Sequence, residues 1–238
     1  MKRSMFRVLL LSVVLAAGLP AAASANLLVN GSVADALGPG NDTGSSVALG
    51  PFVLYNAPNQ GIPGWNLASG SVEVFTNYRY SGSRVVDMTG LHTAFGGRGP
   101  GTLEQSFATS AATSYNVSFL MGGTGLPTVK EMDVKITGSS GVIYQSVFAF
   151  DTGSVPQVGD LVAKQFSFTG DGPSASISFR SLINSTYDGP YLGNVAVTPV
   201  PEPGAYALFI AGLALFASRG VLARTRRVSG ATFPDWRS

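Results

Sequence analysis

Along the middle of the chain, apolar and polar residues alternate with a period of two. Tyr115, Val117, Phe119 and Met121 alternate with Asn116, Ser118 and Leu120, and Met132, Val134 and Ile136 alternate with Asp133, Lys135 and Thr137. This is the pattern of strands with one buried and one solvated face. Shorter runs of the same kind fall at 72–75, 103–107, 143–150, 162–169, 175–179 and 192–197, with Gly, Asn, Ser, Asp and Pro between them. Many short strands with frequent turn residues predict an all-β sandwich. Gly138-Ser139-Ser140-Gly141 between two runs reads as a hairpin connection. No apolar repeat of helical period extends over about 11 positions between residues 26 and 199, so helices there should be minor. Nor does a repeat or low-complexity linker divide this region, and one domain at about 26–199 is the simplest organisation. The stretches 32–51 and 88–101 are rich in Gly and read as loops, where binding groups tend to sit.

The two ends follow a different pattern. A basic start (Lys2, Arg3, Arg7), an apolar run over 8–19 and a small-residue stretch ending Ala23-Ser24-Ala25 make residues 1–25 a secretory signal peptide. The run is shorter than the roughly 20 residues that span a bilayer, and it lacks the polar face of an amphipathic helix. Ala23 and Ala25 fit the signal peptidase site, so the mature chain should begin at Asn26.

Near the C-terminus, Val200-Pro201-Glu202-Pro203 precedes an apolar stretch and then Arg219, Arg224, Arg226 and Arg227. Two prolines flanking one residue belong to an extended segment before a helix. The helix reaches spanning length at about 204–223 if Arg219 snorkels to the headgroups. The arginines after it would hold that end, with a tail at 228–238, in the cytoplasm.

This order of motif, short apolar helix and arginine cluster resembles the PEP-CTERM sorting signal over residues 200–227. The resemblance implies cleavage at the motif by an exosortase-type membrane protease in a Gram-negative bacterium that makes extracellular polysaccharide. The protein would be held briefly in the inner membrane and then released to the cell surface or beyond. The chain departs from the usual signal in running on to Ser238. An ordinary C-terminal membrane anchor is the alternative, for which the helix is short.

Composition narrows the chemistry. Of 238 residues, 45% are hydrophobic and 12% charged, which excludes a disordered polyelectrolyte. The absence of Cys excludes disulfides, thiol catalysis and cysteine-based metal sites. The formal charge of +2 comes from the ends: residues 26–199 hold seven Lys/Arg against eleven Asp/Glu. Without a basic stripe, nucleic acid is not an expected partner.

Further motifs stand in a characteristic order. They are Asn26-Leu27-Leu28-Val29-Asn30-Gly31-Ser32, Gly64-Trp65, Gly70-Ser71-Val72-Glu73, Val85-Val86-Asp87-Met88-Thr89-Gly90, residues 101–109 (GTLEQSFAT) and Tyr115-Asn116-Val117-Ser118-Phe119. Together they resemble the choice-of-anchor C family, related to a plant cell-wall domain of unknown function with a galactose-binding-like fold. The resemblance implies a jelly-roll β-sandwich, an extracellular setting and affinity for polysaccharide. Gly193 stands where such folds often carry Asp before Asn-Val, so no carboxylate role carries over there.

Candidate chemistry is sparse. His92 is the single histidine and no G-x-S-x-G elbow accompanies it, which leaves a serine triad without support. Glu73, Asp87, Glu104, Glu131 and Asp133 are numerous enough for a glycosidase pair, yet spacing singles out none. Glu131 and Asp133 read as the solvated side of a strand, and no enzyme is expected. Asn41-Asp42-Thr43 and Asp171 lie in Gly-rich loops without EF-hand spacing, so no cofactor is expected, with a structural calcium left open.

For sugar binding, Tyr78 and Tyr80 point to one side of an extended segment, with Arg84, Asp87, His92 and Arg98 as polar partners. The alternative is that the two tyrosines line a core. Trp65 reads as core, and the four N-x-[ST] sequons at Asn30, Asn41, Asn116 and Asn184 as accidental. The expected function is a non-catalytic module that holds or organises extracellular polysaccharide. A structural envelope or matrix protein is the alternative, and an esterase or glycosidase comes third for want of a constellation.

Overall fold

Among the described residues, the alternation that dominates the sequence is realised as twelve strands in two antiparallel sheets. A computed structural model describes residues 25–33, 45–49, 52–75, 84–90, 96–125, 128–154, 160–184, 188–201 and 211–212. The strands are β1 (Ser45–Leu49), β2 (Phe52–Asn56), β3 (Asn66–Ser69), β4 (Ser71–Phe75), β5 (Val86–Asp87), β6 (Thr102–Ala108), β7 (Ser114–Gly123), β8 (Val129–Gly138), β9 (Gly141–Asp151), β10 (Val162–Thr169), β11 (Ser174–Ser181) and β12 (Pro190–Pro199). A short 3-10 turn, Thr152–Ser154, interrupts them.

The seven-stranded sheet has the order β1-β2-β4-β5-β12-β7-β10 and the five-stranded sheet β3-β6-β11-β8-β9. From β5 onward the chain crosses between sheets at each connection except the β8–β9 hairpin. That hairpin turns on Ser139 and Ser140, as the Gly-Ser-Ser-Gly motif predicts.

All eight strand runs read from the alternation coincide with strands. The Gly-rich stretch 32–51, expected to be loop, contains β1 instead. Its five residues pair from Ser45↔Asn56 to Leu49↔Phe52, so the strand exists because β2 supplies a partner, not because of its own pattern.

The inner faces of the two sheets meet in one core. Val72 and Val74 of β4, Val86 of β5, Leu192 and Val197 of β12 and Phe119 and Met121 of β7 face Leu103, Met132, Val134, Ile136, Ile177 and Phe179 of the other sheet. Phe179 has no exposed surface and packs against Trp65 and Phe119, at ring-centroid distances of 6.1 and 5.2 Å. Trp65 is therefore core, as expected.

Residues 26–31 strap both sheets together. Asn26 donates to the Val195 carbonyl and accepts from the Leu28 and Val197 amides. On the other sheet, Gln105 accepts from the Val29 amide at 2.7 Å and donates to the Val29 carbonyl at 2.9 Å, standing in for a missing strand partner. The Trp65 indole donates to the Asn30 carbonyl at 3.1 Å.

The chain divides into a compact unit, Ser24–Val200, and a second unit made of the terminal segments Met1–Ala23 and Pro201–Ser238. Among the described residues, no helix is long and apolar enough to cross a membrane. Residues 1–24 of the expected signal peptide, the expected helix at 204–223 apart from 211–212, and the tail at 228–238 lie outside the described residues.

Two substitutions test this packing in urea titrations. Phe179→Ala should cost about 3–5 kcal/mol by emptying the space between the sheets. Gln105→Ala should cost about 1–3 kcal/mol, because it strands the Val29 amide and carbonyl.

Candidate functional site

Strand register brings together carboxylates that sequence spacing keeps apart. On the face of the seven-stranded sheet turned away from the core, Leu54, Glu73, Asp87, Tyr191 and Gly122 form a transverse row. Each is the direct cross-strand neighbour of the next. Their strand neighbours Val53, Val72, Val74, Val86, Leu192 and Met121 point the other way, into the core. The strict alternation of side chains along a strand thus sends Glu73 and Asp87 outward side by side.

Both carboxyls are nonetheless buried, Glu73 at 7% and Asp87 at 3% exposure. Burial pushes the Glu73 carboxyl up to about 8, with Asp87 and then Asp188 adding to the rise. Burial likewise pushes Asp87 up to about 7, and Asp188 adds to it. Opposing that rise, the Thr89 amide donates to Asp87 Oδ1 at 2.9 Å, the Gly189 amide stands 3.4 Å from Oδ2, and Lys130 contributes a weaker attraction. Among the described residues, no group donates a hydrogen bond to Glu73. The two acids therefore differ: Asp87 is held by the backbone, while Glu73 accepts no hydrogen bond from a described residue.

Around this pair stand Thr124, Asp188, Lys130 and a group of rings. Thr124 Oγ1 donates to Asp188 Oδ1 at 3.0 Å and lies 2.9 Å from the Tyr191 hydroxyl. Lys130 continues the inward-facing line of Met132, Val134 and Ile136, is fully buried, and passes the end of β7 to donate from Nζ to the Asp188 carbonyl at 2.8 Å. Its burial lowers its pKa, against the pull of Asp188 and Asp87. Phe52 and Phe75, both half-buried, meet edge to face at 6.0 Å, and Phe75 meets Tyr191 at 5.7 Å. A Cβ at Gly189 would overlap Thr89 Oγ1 and Asp87 Oδ1, so only glycine lets the β12 entry approach Asp87 this closely.

Of the residues singled out from sequence, Asp87 lies at the centre of this cluster. Arg84 is half-buried beside β12: a Cβ at Gly193 would stand 3.0 Å from the Arg84 carbonyl oxygen. That close approach leaves little room for a side chain at position 193. Tyr78, Tyr80 and His92 lie outside the described residues, in the segments joining Phe75 to Arg84 and Gly90 to Gly96. Arg98 is turned to the fold, donating its guanidinium to the Ala57 carbonyl and its amide to Ser71 Oγ. Asp171 is also structural, accepting from the Ser139 and Ser140 amides at 2.9 and 2.7 Å across the hairpin turn. Those donors, with the Ser140 hydroxyl, hold its pKa below the usual range. Among the described residues, no three His, Asp or Glu side chains come together as a metal site.

In the sequence Glu73 is one carboxylate among several, and nothing there singles out Asp188 or Lys130. The strongest sequence signal was at Glu73, a charge within the otherwise apolar run Val72 to Phe75.

At the sequence ends, Asn26 is bonded into β12 while Ala25 is exposed. The Val200 amide donates to the Ser114 carbonyl at 2.8 Å, and Pro201 after it is exposed. Ala23, Glu202, Pro203, Arg224, Arg226 and Arg227 lie outside the described residues.

No protein-family model matches the chain, and no curated protein matches it. Among solved structures, a CBM4 structure is 15% identical, with a TM-score of 0.41, covering 73% of this chain and 99% of its own. A family 16 carbohydrate-binding module is 17% identical, with a TM-score of 0.40, covering 73% and 99%. An arabinose-bound α-L-arabinofuranosidase is 10% identical, with a TM-score of 0.48, covering 74% of this chain and 26% of the enzyme.

The raised carboxyl values set a pH dependence. Glu73 and Asp87 bind protons more tightly folded than unfolded, so their stabilising contribution is full below about 3.8–4.5 and is lost as pH rises through about 7 and 8. The lowered value of Lys130 acts in the opposite sense, as pH rises towards 10.5. The melting temperature should fall by roughly 5 °C or more between about pH 5.5 and about pH 8.5, since ~1 kcal/mol moves it by ~2–4 °C in a chain of this size. Glu73→Gln should flatten that slope in thermal melts, and a wild-type slope of opposite sign would contradict the assignment.

Proposed function

We propose that this protein is a secreted, surface-sorted β-sandwich whose seven-stranded sheet carries a non-catalytic binding face for extracellular polysaccharide. The observation that carries the reading is the Glu73–Asp87 pair beside Phe52, Phe75 and Tyr191. A neutral carboxylic acid offers a donor and an acceptor at once, which is what a sugar hydroxyl needs. The half-buried rings of Phe52 and Phe75 offer an apolar surface for the C–H face of a pyranose. Arg84 belongs to this region, and Tyr78, Tyr80 and His92 are proposed to complete it.

The arrangement favours binding over hydrolysis. A retaining glycosidase needs one carboxylate free to attack and one acid to protonate the leaving group. Here Asp87 is 3% exposed and held by the Thr89 amide, which leaves it poorly placed to attack.

The strand orders β5-β12-β7-β10 and β6-β11-β8-β9 support a jelly roll, and with the resemblance to the choice-of-anchor C family they support the galactose-binding-like reading. Secretion, signal peptidase cleavage after Ala25 and exosortase sorting at Val200–Pro203 rest on the sequence motifs. The ordered start at Asn26 and the exposed Pro201 are compatible with both cuts.

The test is calorimetric titration of the purified protein with its host's exopolysaccharide, with released reducing ends assayed in parallel. Saturable binding without release is expected, and Phe75→Ala or Glu73→Gln should weaken it at least tenfold while leaving the fold intact. Absence of binding would overturn the reading in favour of a structural envelope protein, and release of sugar would make it an enzyme. Replacing Pro201 and Glu202 should separately block processing and surface display in the native host.

A further inference from the structure

The side of the sandwich bordered by β9 and β10 presents the edge of both sheets. Among the described strands, β9 ends the five-stranded sheet and β10 ends the seven-stranded one. The two edges lie against each other, with Tyr144 of β9 stacked on Phe166 of β10 at 3.9 Å and 7°. Phe148 reaches Phe166 at 5.8 Å.

β9 lacks the devices that usually blunt an edge. Tyr144 to Phe150 is Tyr-Gln-Ser-Val-Phe-Ala-Phe, with no charge, no Pro and no Gly, where lysine, proline or an inward charge commonly discourages pairing. The ladder to β8 shifts register between Ile136 and Thr137, opposite Ile143, so that irregularity affects only the hairpin end. From Tyr144 to Asp151 the pairing with β8 is regular. The outward residues Gln145, Val147 and Ala149 are exposed, Val147 at 51%. Tyr144 and Phe148, on the inner face, are only half-buried.

We propose that β9 pairs antiparallel with β9 of a second copy of this chain, joining two five-stranded sheets across a twofold axis at Val147. A copy of the same strand fits because the segment is self-complementary about that residue. Antiparallel pairing centred there sets Ser146 against Phe148, Gln145 against Ala149 and Tyr144 against Phe150 of the partner copy. Aromatic residues then meet on the inner face, where such cross-strand pairs are favourable, and no like charges oppose each other. Centring on Val147 also keeps the irregular hairpin end out of the seven central pairs. The unpaired amides and carbonyls of the edge are satisfied, and the half-exposed rings are covered. The dimer is independent of the polysaccharide reading, since β9 belongs to the other sheet.

The chain contains no Cys, so single cysteines report the geometry without background. The purified protein, in the processed form its host yields, should be a dimer by light scattering at about 100 µM, with a mass twice that of one chain. Val147→Lys sets two ammonium groups face to face and should weaken dimerisation at least tenfold, with circular dichroism and melting temperature unchanged. Val147→Cys should form a disulfide-linked dimer under mild oxidation. Val142→Cys, exposed on the same strand, should not, because the two copies of that residue would stand ~33 Å apart at ~3.3 Å per residue. A monomer at that concentration, a dimer that survives Val147→Lys, or a dimer that fails to link through Val147→Cys would each overturn the proposal.

Discussion

Two carboxyl groups on neighbouring strands, both removed from water and both turned away from the core, form the constraint around which the rest of this molecule is arranged. Burial is the main reason both groups hold their protons well above the usual carboxylate range, with the Asp87 charge adding to the rise at Glu73 and the Asp188 charge to the rise at both. What surrounds them serves that balance. The Thr89 amide takes one Asp87 oxygen, Gly189 admits the β12 entry without a side chain, and Lys130 brings a buried ammonium to the Asp188 carbonyl. The result is a Glu73 carboxyl that burial shifts towards its neutral form, on the same outward face as Phe75 and Tyr191.

The core makes this outer face rigid. β4 and β5 are short, and β5 pairs through only two residues on each side. Their outward side chains hold position because the inward ones, Val72, Val74 and Val86, are locked against the opposite sheet. The strap at residues 26–31 adds to this by bonding β12 through Asn26 and β6 through Gln105. The strap begins at Asn26, and at the other end of the sandwich the Val200 amide bonds to the Ser114 carbonyl.

The long strands could be read from the chain because their period of two extends over enough residues to be unmistakable: β7, β8 and their neighbours follow from alternation, and the Ser139-Ser140 turn from its Gly-Ser-Ser-Gly motif. β1, β2, β3 and β5 could not: they have five, five, four and two residues, and each exists because a partner strand pairs with it. The site was half visible. Asp87 stood out beside Arg84, but its pairing with Glu73 depends on register across a connection whose length does not fix it. Lys130 comes from β8 and Asp188 from the connection that leads into β12, and only the folded chain brings them together. Asp171 and Arg98 show the converse, since polar residues in Gly-rich segments suggested ligands and proved to be bound to the backbone.

The central claim is that Glu73 is a neutral acid available to a polyhydroxylated ligand. Its direct measurement is the carbon-13 titration of the Glu73 carboxyl by NMR, with and without saturating exopolysaccharide. A midpoint near 8 in the free protein, moving higher when the polysaccharide is bound, is the predicted result. A midpoint near 4.5 that ignores the polysaccharide would contradict the account.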